Sequence, residues 1–232
     1  GIYANCVEDI DLVASIILSY DSNDLDMIQN YQYKSTVSLN KPIKFGFVRG
    51  PVWTFGDEDM KHGIEEFVKN VQLDIEELDL GKDFEDAAKA HEIIMNGSIA
   101  NSLINYYQAD KSKLHPFTVK RIEAGIPVSA SDYVSAIEKA KKMEQILRQL
   151  FLKYDTIITP ASPGQAPRDL MNTGNAIFNG YWTMMGVPAI SLPFLKGRDN
   201  LPVGIQFIAN WNEDLKLLEI CKEVLKKEKL AD

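Results

Sequence analysis

The side chains that most often perform catalysis or bind metals are few and scattered in this chain. Its three histidines, His62, His91 and His115, fall on different predicted helices, and no His-Glu-x-x-His or comparable ligand spacing is present. Its two cysteines, Cys6 and Cys221, stand near opposite ends, so they predict neither a disulfide framework nor a zinc cluster. The chain also lacks a Gly-x-Ser-x-Gly elbow and a phosphate-binding glycine loop. The residues alone therefore define no catalytic constellation, and we expect no metal site and no cofactor.

Uncharged polar side chains are concentrated in one stretch, residues 156–195. Only Arg168 and Asp169 are charged there, whereas the overall charged fraction of 25% predicts about ten charged residues in a segment of this length. The stretch begins with a predicted buried strand, and loops after the carboxyl ends of strands are where open α/β sheets bind ligands. Because buried polar groups need partners, a second interpretation stays open: a crossover whose polar groups only hold the loop in place.

The periodicity of the apolar residues predicts the elements that position this stretch. Helices are predicted at residues 7–19, 57–71, 83–107, 114–124, 129–153, 177–185 and 213–226, strands at 43–48, 73–80, 156–159, 189–194 and 203–208, and a polar connector at 21–41. The last two strands are separated by a short glycine-containing loop, so we expect them to pair with each other. This alternation of helices and strands indicates an α/β fold.

Composition excludes several kinds of partner. The formal net charge is −8, and no cluster of Lys and Arg is interleaved with aromatic residues, so we expect no direct binding of nucleic acid. Residues 170–195 are uncharged but contain three Asn, three Gly and two Pro, which argues against a membrane-spanning helix. The low cysteine count favours a reducing compartment, and we expect a cytoplasmic location.

Several segments resemble, in the same order and at similar spacing, motifs of the amidase signature family. They are Gly-Ile-Tyr-Ala-Asn-Cys-Val-Glu-Asp at 1–9, Asp-Thr-Ile-Ile-Thr-Pro-Ala-Ser-Pro at 155–163, Ala-Pro at 166–167, Asn-x-x-Trp-Thr at 179–183, Gly-Val-Pro-Ala-Ile-Ser-Leu-Pro at 186–193 and Leu-Pro-Val-Gly-Ile-Gln-Phe-Ile at 201–208. Each segment is short, but together they extend over nearly the whole chain. The resemblance implies a three-layer α/β/α fold with a mixed sheet, of which residues 1–232 would be the carboxyl-terminal portion of a single amidase-like domain.

The implied activity is hydrolysis of amide C–N bonds. In this family the catalytic serine, a second serine on a cis peptide, the lysine and the glycine- and serine-rich loop all precede the motif that residues 1–9 resemble. The chain begins at Gly1, not Met, so we expect a fragment that contains no catalytic residue and is inactive alone, because amide hydrolysis needs an activated nucleophile and oxyanion donors. It would supply core packing and one wall of the acyl pocket.

Two departures from the family bear on the choice between its branches. Asn5 stands where the family commonly has Arg. Ala176 stands near the position of an Asp that helps hold glutamine in the A subunit of tRNA-dependent amidotransferases. The second departure favours a stand-alone amidase. An A-subunit-type component of a tRNA-dependent amidotransferase and a non-catalytic scaffold or binding module of the same fold remain alternatives.

The candidate substrate-binding residues are Gln165, Asn179 and Trp182, which lie in or next to the uncharged stretch. The polar ends of these side chains could orient an amide or its acyl chain, and the Trp182 ring could form a pocket wall. The alternative is that Asn179 caps main-chain groups and Trp182 belongs to the core. For partners, the resemblance implies a small amide substrate in the intact protein, and we expect the chain to self-associate through an exposed apolar surface.

Overall fold

The computed structural model describes residues 1–24, 27–28, 33, 37–39 and 42–228, and it confirms the predicted order of helices and strands. The helices are α1 (Val7–Ile17), α2 (Glu58–Asn70), α3 (Ala87–Asp110), α4 (Pro116–Gly125), α5 (Ala130–Leu150), α6 (Ile177–Met185) and α7 (Asp214–Glu228), and the strands are β1 (Lys44–Phe47), β2 (Asp74–Glu77), β3 (Thr156–Pro160), β4 (Ala189–Lys196) and β5 (Pro202–Ile208). About half of the predicted connector at 21–41 lies outside the described residues. None of the helices in the described part of the chain is long and apolar enough to cross a membrane.

The strands form one mixed sheet in the order β2-β1-β3-β5-β4. Strand β1 is parallel to β2 and to β3, whereas β5 is antiparallel to both β3 and β4. From β1 the chain passes through α2 to β2, at one edge of the sheet. From β2 it passes through α3–α5 back across β1 to β3, so the two connections run in opposite directions along the sheet. Since such crossovers are right-handed, α2 lies on one face and α3–α5 lie on the other. The predicted α/β/α layering and the predicted pairing of β4 with β5 are therefore confirmed.

Strand β3 lies at the centre of the core. All of its residues are buried, because helices cover both faces of the sheet at this point. Phe47 of β1 and Phe207 of β5 are also buried beside it, as are Tyr181 and Trp182 of α6. The loop at residues 161–175 therefore leaves from the most deeply buried strand of the sheet.

Helix α6 is positioned by close packing against α3. A Cβ atom on Gly180 would lie 2.6 Å from Nδ1 of His91, so only glycine lets α6 approach this imidazole so closely. Burial of His91 lowers its pKa, and the positive charge of Arg121 lowers the pKa further. His91 is thus a packing residue between two helices, and it holds the first turns of α6 next to the end of β3.

Candidate functional site

The start of the loop after β3 is fixed by two hydrogen bonds. The amide of Ala161 donates to the carbonyl oxygen of Gly204 over 3.2 Å, which extends the pairing of β3 with β5 by one residue. Asn179 Nδ2 donates to the carbonyl oxygen of Ala161 over 3.0 Å, which ties α6 to the same point. Three elements therefore converge at the end of β3.

Asn179 is the predicted site residue that lies at this convergence. It is half-buried, in the first turn of α6, where Asn175 Oδ1 accepts from the amide of Ile177 and helps to start the helix. Its Nδ2 bonds Ala161, whereas its Oδ1 has no hydrogen-bond partner within the described residues. Asn179 thus caps a main-chain carbonyl, and one amide oxygen remains available to a ligand.

Gln165 is held by the turn between β4 and β5. Its Nε2 donates to Asp199, and its Oε1 accepts from the main-chain amide of Asp199 over 3.0 Å. Arg168 donates to the same carboxylate over 2.6 Å, and this hydrogen bond, followed by that of Gln165, lowers the pKa of Asp199. Gln165 therefore joins the loop to the β4–β5 turn. Asn179 instead bonds Ala161 at the end of β3, so the structure does not bring these two predicted site residues into one hydrogen-bond network.

Trp182 belongs to the core beneath the loop. Only 1% of its surface is exposed, and the centroid of its ring lies 4.7 Å from that of Tyr181. The side-chain polar atoms of Trp182, Tyr181 and Thr159 are buried without a hydrogen-bond partner among the described residues. Burial raises the pKa of Tyr181, and the nearby Thr159 and Trp182 oppose that rise, although neither makes a hydrogen bond of normal geometry with it.

A surface of small side chains adjoins Asn179, and the sequence analysis missed it. A Cβ atom on Gly204 would lie 2.1 Å from Ser191 Oγ and 3.1 Å from Ala161 Cβ, so β3, β5 and β4 present small residues side by side. Along β4, Ala189, Ser191 and Pro193 are exposed, whereas the residues between them are buried. The signal was present as small residues at alternate positions of a predicted strand. We call the surface formed by Ala161, Asn179, Ser191 and Gly204 the loop-end surface.

The loop-end surface offers neutral hydrogen-bonding groups and no charge. Within the described residues, no serine hydroxyl is hydrogen-bonded to a histidine or a lysine, so no serine there has the base that activates a nucleophile. Nor do three or more His, Cys, Asp or Glu side chains of the described residues come together where they could hold a metal ion. The arrangement can bind and orient a neutral polar group.

Comparison with known proteins gives consistent matches. The family model described as Amidase matches residues 1–218. The A subunit of glutamyl-tRNA(Gln) amidotransferase from Agathobacter rectalis is 26% identical over 90% of this chain and 49% of its own length, and the Coxiella burnetii protein of that name is 26% identical over 95% and 53%. The chain thus spans about half the length of these curated relatives.

Solved structures of low sequence identity share the fold. A structure described as an amidase aligns with a TM-score of 0.74 and 19% identity over 94% of this chain and 50% of its own. The 6-aminohexanoate cyclic dimer hydrolase aligns with a TM-score of 0.71 and 17% identity over 95% and 53%. These likenesses extend over all layers of the fold described above.

Proposed function

Because this chain belongs to the amidase signature family, we propose that it forms one wall of the acyl pocket of an amide hydrolase whose nucleophile lies outside these 232 residues. The observation that carries this proposal is the loop-end surface, where Asn179 donates through Nδ2 to Ala161, Ala161 lies beside Gly204 and Ser191, and Asn179 Oδ1 has no hydrogen-bond partner among the described residues. The half-length match to the curated relatives and the lack of an activated serine among the described residues support it. Residues 1–232 would then be the carboxyl-terminal portion of a single amidase domain.

The proposed substrate is a small neutral amide. Asn179 would accept a hydrogen bond from its N–H through Oδ1, while Nδ2 stays on Ala161. A charged substrate would find no counter-charge among the four uncharged residues of the loop-end surface, and Arg168 and Asp199 pair with each other. We propose that Gln165 and Trp182 act on the substrate by positioning the loop and by forming the floor beneath it.

A second candidate function is that of the A subunit in a tRNA-dependent amidotransferase. The curated relatives described above carry that name, and they match nearly the whole chain. Ala176 in place of a glutamine-holding Asp argues for the amidase. Co-purification distinguishes the two functions, because an A subunit should be isolated together with a partner subunit and a stand-alone amidase should not.

We further propose two properties of the isolated chain. It should self-associate, since Tyr3 and Ile16 expose 99% and 72% of their surface, and contiguous apolar surface favours association. A cytoplasmic location is supported by the cysteines, because the exposed Cys6 and the buried Cys221 are both free thiols.

The test compares this chain with the polypeptide encoded by the complete open reading frame that contains it, using release of ammonia from a panel of small neutral amides. The longer polypeptide should hydrolyse at least one amide and this chain none. Replacing Asn179 by Ala should lower kcat/KM by about tenfold, the value of one neutral hydrogen bond. Asn175→Ala, which removes the hydrogen bond that Asn175 Oδ1 accepts from the amide of Ile177 just before α6, is the matched control. Hydrolysis by the isolated chain, or equal losses in the two variants, would contradict the proposal.

A further inference from the structure

The loop between β3 and α6 is fastened at its beginning. The carbonyl oxygen of Pro163 accepts from the amide of Asp57 over 2.7 Å, which joins the loop to the start of α2. Ala161 and Gln165, through the hydrogen bonds described above, join it to β5 and to the β4–β5 turn. Residues 161–165 are therefore held by three different elements.

The rest of the loop, residues 166–174, lies on the surface, and every residue in it is exposed. We call these residues the exposed loop segment. Short turns within the segment give it its shape. The amide of Met171 donates to Asp169 Oδ1 over 2.9 Å, and the amide of Gly174 donates to Asn172 Oδ1 over 2.9 Å. The segment thus stabilises its own conformation without packing on the sheet.

One ion pair joins the exposed loop segment to the rest of the protein. In the part of the chain that the structure describes, the hydrogen bonds that leave the segment come from Arg168, and they end on Asp199 over 2.6 Å and 3.4 Å. Asp199 belongs to a turn that is itself held, because the amide of Arg198 donates to Asp59 Oδ2 over 3.0 Å. The Arg168 side chain is 83% exposed, and ion pairs at the surface stabilise little. The segment is therefore attached by a contact that is readily broken.

The tip of the exposed loop segment carries two apolar side chains. Leu170 and Met171 expose 96% and 87% of their surface. Leu170 lies five residues from Gln165 and five from Asn175, and an extended chain of that length spans about 16 Å. Asn179 follows Asn175 by four residues, at the start of α6, so the loop-end surface lies within reach of the tip.

We propose that the exposed loop segment is a lid over the loop-end surface, latched open by the ion pair of Arg168 with Asp199. When the lid closes, Leu170 and Met171 contact an apolar acyl group of the substrate. Burial of two apolar side chains against such a group stabilises more than a surface ion pair does, so the substrate itself drives closure. This inference rests on the proposed function, and it names the substrate class as amides of aliphatic carboxylic acids.

The first test compares acetamide with hexanamide as substrates of the polypeptide encoded by the complete open reading frame. Hexanamide should have a kcat/KM at least about tenfold higher, because its acyl group adds four methylenes to the apolar contact. Leu170→Ser should lower kcat/KM for hexanamide by about tenfold and change that for acetamide by less than about twofold. Leu152→Ser replaces another leucine, 80% exposed and outside the loop, and is the matched control that should change neither value.

The second test examines the latch. Arg168→Gln removes the ion pair and keeps the hydrogen bonds of Gln165 with the turn. In this chain alone, the amides of Met171 and Gly174 should then exchange with deuterium about threefold faster, as expected for the loss of a surface ion pair. In the longer polypeptide the same change should lower KM for hexanamide, since closure no longer breaks the pair. Arg198→Gln, on the same turn, is the matched control and should alter neither exchange nor KM.

The outcomes separate this inference from the proposed function. Hydrolysis of both amides with equal kcat/KM, or equal losses for both in Leu170→Ser, would overturn the lid and leave the function standing. Unchanged exchange in Arg168→Gln would also overturn the inference, because the ion pair would then not be a latch. If the longer polypeptide hydrolyses no neutral amide, the proposed function fails, and the substrate class named here fails with it.

Discussion

Replacing Gly125 and Gly63 by Ala should change the free energy of unfolding in opposite directions. Gly125 ends α4 against α3, where a Cβ atom would lie 2.0 Å from the carbonyl oxygen of Asn96. Gly63 lies within α2, where a Cβ atom would meet only the Leu195 side chain at 3.4 Å. The same added methyl group therefore meets main chain at one site and an ordinary van der Waals contact at the other.

The magnitudes follow from these contacts. At Gly125, opening the contact from 2.0 Å to 3.4 Å requires α4 and α3 to separate by about 1.4 Å, because no side-chain rotation can move a main-chain oxygen. Overpacking of this kind costs about 1–3 kcal/mol, so we expect a net loss of about 2 kcal/mol. At Gly63 the greater helix propensity of Ala should raise the free energy of unfolding by about 0.5–1 kcal/mol.

Urea denaturation followed by far-ultraviolet circular dichroism measures both changes. The two variants should differ by about 3 kcal/mol, which corresponds to roughly 6–12 °C in Tm for a chain of this size. The m-value should stay the same in both variants, because neither alters the surface exposed on unfolding. A Gly125→Ala variant as stable as the parent would show that α3 and α4 do not pack as closely as described.

Two further predictions concern pH. Burial lowers the pKa of His91, so the stability associated with its neutral form is complete above about pH 6.5 and is lost as the pH falls below that value. His91→Gln should flatten this dependence in urea midpoints measured between pH 7.5 and pH 5. Burial acts to raise the pKa of Asp11, but hydrogen bonds from Lys222 and Tyr33 outweigh it and the net pKa is lowered. The Asp11 contribution should therefore be lost as the pH falls below about 4, and Asp11→Asn should reduce the acid sensitivity of α1 docking, read from the exchange rates of α1 amides.

Local signals were enough to predict the elements, whereas their lengths depended on neighbours. The strand predicted at 73–80 is paired only over Asp74–Glu77, because its partner β1 ends at Phe47. The strand predicted at 156–159 gains Pro160 because the antiparallel β5 continues beside it. Periodicity reports which residues are apolar, but the length of a strand is set by the length of the strand next to it.

The candidate site was harder to predict because its contacts join distant parts of the chain. Gln165 was chosen for its place in an uncharged loop, yet its partner, Asp199, is 34 residues away across a hairpin turn. Trp182 was chosen as a pocket wall, and its burial follows from the packing of α6 over β3. Asn179 was chosen for its polar side chain. In the structure its Nδ2 donates to the carbonyl oxygen of Ala161, and its Oδ1 has no hydrogen-bond partner among the described residues.

The small residues at the ends of β3, β4 and β5 distinguish the loop-end surface from the rest of the sheet. The sheet positions that helices cover carry large side chains, as Phe47 and Phe207 do here. At the loop-end surface a Cβ atom on Gly204 would lie 2.1 Å from Ser191 Oγ and 3.1 Å from Ala161 Cβ, so a residue larger than glycine does not fit at position 204. Because Ser191 is exposed there, a neutral ligand could reach this part of the sheet beside Asn179, as the proposed function requires.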